Sequence, residues 1–155
     1  MSDLLKSALE EAILDEYKAR ATYRQVIRTF GEIRPFTNIV KAEGRHIEAL
    51  LALFSKYAIA VPEEDWSDRV QAPPSVVEAC RIGVQAEIDN ATMYDRLLDE
   101  TKEYEDVQQV LRQLQRASKE NHLPAFQRCA ERAGNHGEGR GRGRGRRRGG
   151  NPNRM

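Results

Sequence analysis

Cysteine is scarce in this chain of 155 residues: only Cys80 and Cys129 are present. Two are too few for a disulfide scaffold, and their spacing excludes a C-x-x-C zinc knuckle or a rubredoxin-type iron site. Long apolar runs are missing as well. The longest, Ala49 to Phe54, falls far short of the roughly 20 residues that a bilayer span needs. Residues Met1 to Lys6 show no basic start followed by an apolar stretch, so the sequence predicts no export signal and a cytoplasmic address. Net charge is nearly absent too, at +1, but unevenly placed. From Gly137 onward seven Arg against one Glu give +6, which leaves −5 on the first 136 residues.

What is there points to helices. A composition of 39% apolar and 32% charged residues suits a single domain with one sizeable core. Ser2 or Asp3 can cap a first helix that keeps Leu5, Leu9, Ala12, Glu16, Ala19, Tyr23, Ile27 and Phe30 on one face before Gly31 stops it. Pro35 suits a first helical position. The second stripe then runs Phe36, Ile39, Val40, Glu43, His46, Ile47, Leu50 and Phe54. Ala60 to Pro74 has no helical period and holds three prolines; at about 3.3 Å per extended residue it reaches roughly 50 Å, enough to cross a bundle.

Ser75 and Glu78 form a capping box for a third helix, with Val76, Cys80, Val84, Glu87, Ala91, Tyr94 and Leu98 aligned. A turn near Tyr104 leads to a fourth, carrying Val107, Leu111, Leu114, Ser118, His122, Phe126 and Cys129. Two short connections flanking a long one predict an all-α, ferritin-like four-helix bundle over residues 1–133: two antiparallel hairpins joined by a long crossover. Residues 134–155, rich in Arg and Gly, cannot bury enough apolar surface to fold and are expected to be a disordered tail.

The polar residues inside these stripes carry the chemistry. An ionised carboxylate removed from water without a partner is costly, yet Glu16, Glu43 and Glu87 each sit in an apolar stripe. Glu43 and His46 form E-x-x-H, which puts both side chains on one helical face, and the other hairpin supplies Glu87 and His122. A Tyr follows seven residues after a Glu in each half, at Glu16/Tyr23 and at Glu87/Tyr94. Facing carboxylates repel unless something cationic lies among them, and a pair of divalent ions answers that.

With AEIDNATMYDRLL at 86–98 and ASKENHLPAFQRC at 117–129, the chain resembles the ferritin-like superfamily, and more closely a group of uncharacterised bacterial ferritin-like domain proteins. The likeness covers about residues 3 to 132. It implies two Fe ions, or Mn, held by Glu16, Glu43, His46, Glu87 and His122. Tyr23 and Tyr94 would hydrogen-bond those ligands from behind. Glu16 and Glu87 would be terminal, Glu43 bridging, and each histidine would serve one ion. Relatives include ferroxidases and peroxide-reducing rubrerythrins, so the resemblance implies a ferroxidase- or peroxidase-like oxidoreductase acting on Fe(II), oxygen or peroxide. Its electrons would come from a separate donor.

The second E-x-x-H is broken, because Lys119 stands three residues before His122. Pro124 should bulge the helix there, and such a bulge could turn Glu120 inward as an irregular sixth ligand. A site of five ligands, asymmetric or holding one metal, is the alternative. Cys80 and Cys129 read either as small buried hydrophobes or as a redox-active pair joining helices three and four. The tail reads as a solubilising extension, a weak nucleic-acid contact or a docking peptide for a protein partner. Membrane is not among the expected partners; a second copy of the chain is. A different class of function also remains open: a non-catalytic helical interaction module whose tail recruits nucleic acid or a partner.

Overall fold

The computed structural model describes residues 2–139, with side-chain surroundings through residue 134. It is an all-helical bundle of four rods. The Ser2 side chain accepts from the Leu5 amide at 3.1 Å and starts α1 (Asp3–Phe30). Gly31 ends it at φ +98°, donating its N–H to the Ile27 carbonyl at 2.8 Å. Pro35 stands just before α2 (Phe36–Lys56) rather than inside its first turn. Ser75 caps α3 (Val76–Glu100) by accepting from the Glu78 amide at 3.2 Å. The fourth rod is continuous but changes character along its length: α4 (Glu105–Arg116), a π-helical turn over Ala117–His122, then α5 (Leu123–Gly139).

α5 runs through residues 134–139, which the sequence had assigned to the tail. The remainder of the expected tail lies outside the described residues. No helix among the described residues is long and apolar enough to cross a membrane.

Side-chain bonds set the directions of the rods. Tyr104, just ahead of α4, donates to Ser2 at the start of α1, while Tyr57 at the end of α2 donates to Asp106 in the first turn of α4. α1 and the fourth rod therefore begin at the same end where α2 and α3 finish. The segment between α2 and α3 must return along the bundle. On the way Ile59 is buried and Trp66 packs on the core, with the Lys18 and Arg69 side chains over its ring. Where α3 turns into α4, buried Gln108 donates to the Leu98 carbonyl and to Thr101 Oγ1, satisfying groups that a helix end leaves open.

The apolar core is in two pieces. One gathers Leu5, Leu9, Ile13, Leu50, Phe54, Leu97 and Leu111 at the end where α1 begins. The other holds Tyr23, Val26, Phe36, Ile39, Cys80, Phe126 and Cys129. Between them lies a layer of buried polar side chains. In the second piece α3 and α5 approach closely: a Cβ on Gly83 would stand 2.6 Å from the ring of Phe126, which is fully buried.

Gly83→Ala should consequently destabilise the fold. Alanine raises helix propensity by about 1 kcal/mol, but displacing a buried ring costs about 1–3 kcal/mol, so a net loss of up to about 2 kcal/mol is expected in denaturant unfolding. An unchanged or raised midpoint would show that Phe126 has room to move.

Candidate metal centre

The polar layer is built from all four rods. Glu16 comes from the middle of α1, Glu43 and His46 from α2, Glu87 from α3 and His122 from the end of the π turn. Glu16, Glu43, Glu87 and His122 are each no more than 4% exposed. They form two overlapping groups of donors, Glu16–Glu43–His46 and Glu43–Glu87–His122, within which the ligand atoms lie within 4.8 Å of one another.

Glu43 belongs to both groups and divides its oxygens between them. Its Oε1 is 3.4 Å from His46 Nδ1, and its Oε2 is 3.9 Å from His122 Nδ1. Glu16 Oε1 approaches His46 Nδ1 at 3.2 Å, and Glu87 Oε1 approaches His122 Nδ1 at 3.4 Å. The two imidazoles lie nearly parallel, with centroids 5.6 Å apart.

Behind this inner set the two hairpins exchange tyrosines. The Tyr94 hydroxyl donates to Glu16 Oε2 at 2.7 Å, and the Tyr23 hydroxyl donates to Glu87 Oε2 at 2.8 Å. Glu16 and Glu87 thus each have the outer oxygen held from across the bundle and the inner oxygen turned toward a histidine of the centre. Burial pushes both phenols well above their ordinary range, so each keeps its proton and stays a donor.

The centre is short of positive charge. No lysine or arginine among the described residues pairs with Glu16, Glu43 or Glu87; their ion-pair partners are the two histidines. Burial, followed by the charges of Glu16 and Glu87, drives the Glu43 carboxyl well up. Burial acts the same way on Glu16, but the bonds it shares with Glu43, His46 and Tyr94 outweigh it and bring this carboxyl down. Burial and the neighbouring carboxylates thus favour the protonated form of Glu43, while the bonds made to Glu16 favour its ionised form.

Two buried polar atoms in this cluster have no hydrogen-bond partner, Glu43 Oε1 and His122 Nδ1. An orphaned buried donor or acceptor costs about 1–3 kcal/mol. Here one carboxylate oxygen and one imidazole nitrogen, from different rods, are both orphaned at the point where the donor groups overlap. Three carboxylates and two imidazoles are a donor set suited to iron, manganese or zinc. The residues present fit a pair of such ions.

The π turn decides what the fourth rod contributes. Pro124 has no N–H to give the carbonyl of residue 120, and the ladder instead closes from the Leu123 amide to the Ser118 carbonyl. Ser118 and His122 both end buried on the inner side. Glu120, expected as a sixth ligand, is exposed and belongs to neither donor group; Lys119 is exposed beside it. Lying two residues before His122, Glu120 points away from whichever side the histidine faces, and the bulge does not reverse that.

A carboxamide occupies the neighbourhood instead. Asn90 accepts from Ser118 at 2.5 Å and donates to Asp15 at 2.5 Å, with Glu16 Oε2 a further 3.5 Å contact. Burial, outweighing the Asn90 bond, pushes Asp15 up to about 6. Asp15, Asn90 and Glu87 line one wall of a cleft of about 330 Å³ between α1 and α3 that reaches Tyr23. Sequence reasoning had passed over Asp15 and Asn90. The available signals were modest: Asn90 follows Glu87 at the spacing by which His46 follows Glu43, and Asp15 adjoins Glu16.

No family model and no curated protein matches the sequence. Among solved structures the chain is similar to the hypothetical protein MJ0754 from Methanococcus jannaschii DSM 2661, with a TM-score of 0.77 and 26% identity, covering 86% of this chain and 83% of that one. The likeness extends along the helical bundle, and no activity comes with it.

A carboxyl that binds its proton more tightly folded than unfolded gives stability that is full below its unfolded pKa and is lost as pH rises through the folded value. Glu43 and Asp15 are both of this kind, against ordinary values of 4.5 and 3.8, while Glu16 has the opposite sign. The metal-free protein should therefore lose stability as pH climbs from about 4 to about 7, and Glu43→Gln should flatten that loss. Urea unfolding in the presence of a chelator reads it; stability that rises across the interval contradicts it.

Proposed function

We propose that this chain is a ferritin-like bundle carrying a di-iron carboxylate centre with redox activity toward Fe(II), oxygen or peroxide. The observation that carries the reading is the convergence of three buried glutamates and two histidines, two of whose ligand atoms are orphaned, with no lysine or arginine among the described residues to balance them. Two iron ions bound there would each change oxidation state by one electron, which is the chemistry that oxidises Fe(II) or reduces oxygen and peroxide.

The chain's own residues would do the rest. Glu43, with an oxygen toward each donor group, is placed to bridge. Glu16 and Glu87 each offer one oxygen and have the other fixed by a tyrosine, so neither carboxylate needs to reorganise when an ion arrives. His46 and His122 would serve one group each. The apolar clusters cover the layer at both ends, and the cleft between α1 and α3 reaches it at Glu87 and Tyr23.

A bundle whose polar groups merely satisfy one another is the competing reading, with the basic tail recruiting nucleic acid or a partner. The Tyr–Glu and Asn90 bonds are compatible with it, whereas the two orphaned atoms favour the metal reading. Of the reading's external partners, an electron donor would have to be supplied separately.

Anaerobic titration of the metal-free protein with Fe(II) or Mn(II) should bind two ions per chain. Each site should add about 2.7 kcal/mol of stability when free metal stands 100-fold above its Kd. Glu43→Gln should leave at most one ion and remove most of that gain. One ion per chain in the wild type would disprove the pair. No uptake at all, with no iron-dependent oxygen or peroxide consumption, would leave the interaction module standing.

A further inference from the structure

The bond between Cys80 and Cys129 is left unused by that reading, and it lies in an unexpected place for a structural staple. It joins α3 to α5 inside the core, where the two sulfur-bearing residues are 0% and 3% exposed and their Cα atoms are 5.7 Å apart. Cys80 precedes Glu87 by seven residues and Cys129 follows His122 by seven, so both stand about 10 Å along the rods on the same side of the centre. The stretch between is packed rather than wet. Phe126, one turn from His122 and one turn from Cys129, fills the space left by Gly83 and has its ring 5.2 Å from that of Tyr23. The Tyr23 hydroxyl in turn holds Glu87.

We propose that Cys80 and Cys129 are a two-electron donor to the metal centre, cycling between dithiol and disulfide. The proposal rests on the di-metal reading above. Closing the S–S bond releases two electrons and two protons, the number of electrons that two ions changing by one each take up. With a hydroperoxide as oxidant the balance is complete: the O–O bond breaks, the S–S bond forms, and the two thiol protons finish on the oxygens as water, or as water and an alcohol. Burial matters here because peroxide attacks exposed thiolates. A thiol pair shut inside the core reacts slowly by itself and needs a route through its surroundings.

The full chain is reduced with dithiothreitol, freed of reductant, and divided anaerobically into metal-free and Fe(II)-loaded portions whose metal content is measured first. One equivalent of hydrogen peroxide is then added, and thiols are counted after unfolding. The loaded portion should fall from two thiols per chain to none at least ten times faster than the metal-free portion, with a Cys80–Cys129 cross-linked peptide seen by mass spectrometry. Equal rates with and without metal, thiols that persist in the loaded protein, or a bond that stays closed through the reduction would each overturn the proposal. Failure to take up iron is visible in the metal analysis before peroxide is added, and overturns the di-metal reading on which the proposal stands.

Discussion

Three carboxylates placed in a buried layer, with no lysine or arginine among the described residues to meet them, are the constraint around which this bundle is arranged. Removing an ion from water costs several kcal/mol even after relaxation. The chain lowers that cost on the outer side only. Two phenols and a carboxamide cover the outward-facing oxygens, while the inward-facing ones are left to one another and to the imidazoles. A sequence optimised for folding alone would have filled these positions with leucine. Retaining acids there, between two well-packed apolar clusters, costs stability and leaves a cluster that could hold a metal ion.

The same constraint explains why the fourth rod departs from regular helix at the layer and nowhere else. Pro124 interrupts the ladder just beyond His122, and the widened turn brings a histidine and a serine inward where a regular E-x-x-H would have brought a histidine and a glutamate. The hairpins are therefore alike in their glutamates and tyrosines but unlike in the residue one turn before each histidine. On α2 it is Glu43, a member of both donor groups; on the fourth rod it is Ser118, which donates to Asn90, and Asn90 in turn donates to Asp15 beside the cleft between α1 and α3.

Much of this was legible in the amino-acid order. Ser2, Gly31 and Ser75 mark helix ends through local chemistry, and the structure places all three where that chemistry requires. Glu16, Glu43 and Glu87 stood out because a 3.6-residue stripe tolerates few charges, and their burial follows from the stripe itself. Glu120 was misread because Pro124 announces a bulge without saying which residue it rotates inward; that depends on how α3 packs against the rod. Asn90 and Asp15 escaped notice since their roles arise from contacts 75 residues apart in sequence. The helical conformation of residues 134–139 was missed for another reason: glycine suggests a coil by composition, whereas a helix already under way can extend through such residues.

The crossed tyrosine bonds link positions 64 and 78 residues apart, so the phenol that orients each glutamate belongs to the opposite hairpin. An N-terminal half emerging from the ribosome carries Glu16, Glu43 and His46 but not the hydroxyl that holds Glu16 in place, and it meets Tyr94 only when the C-terminal half docks. Neither half contains the phenol that holds its own glutamate, so the constellation is complete only where the two hairpins meet.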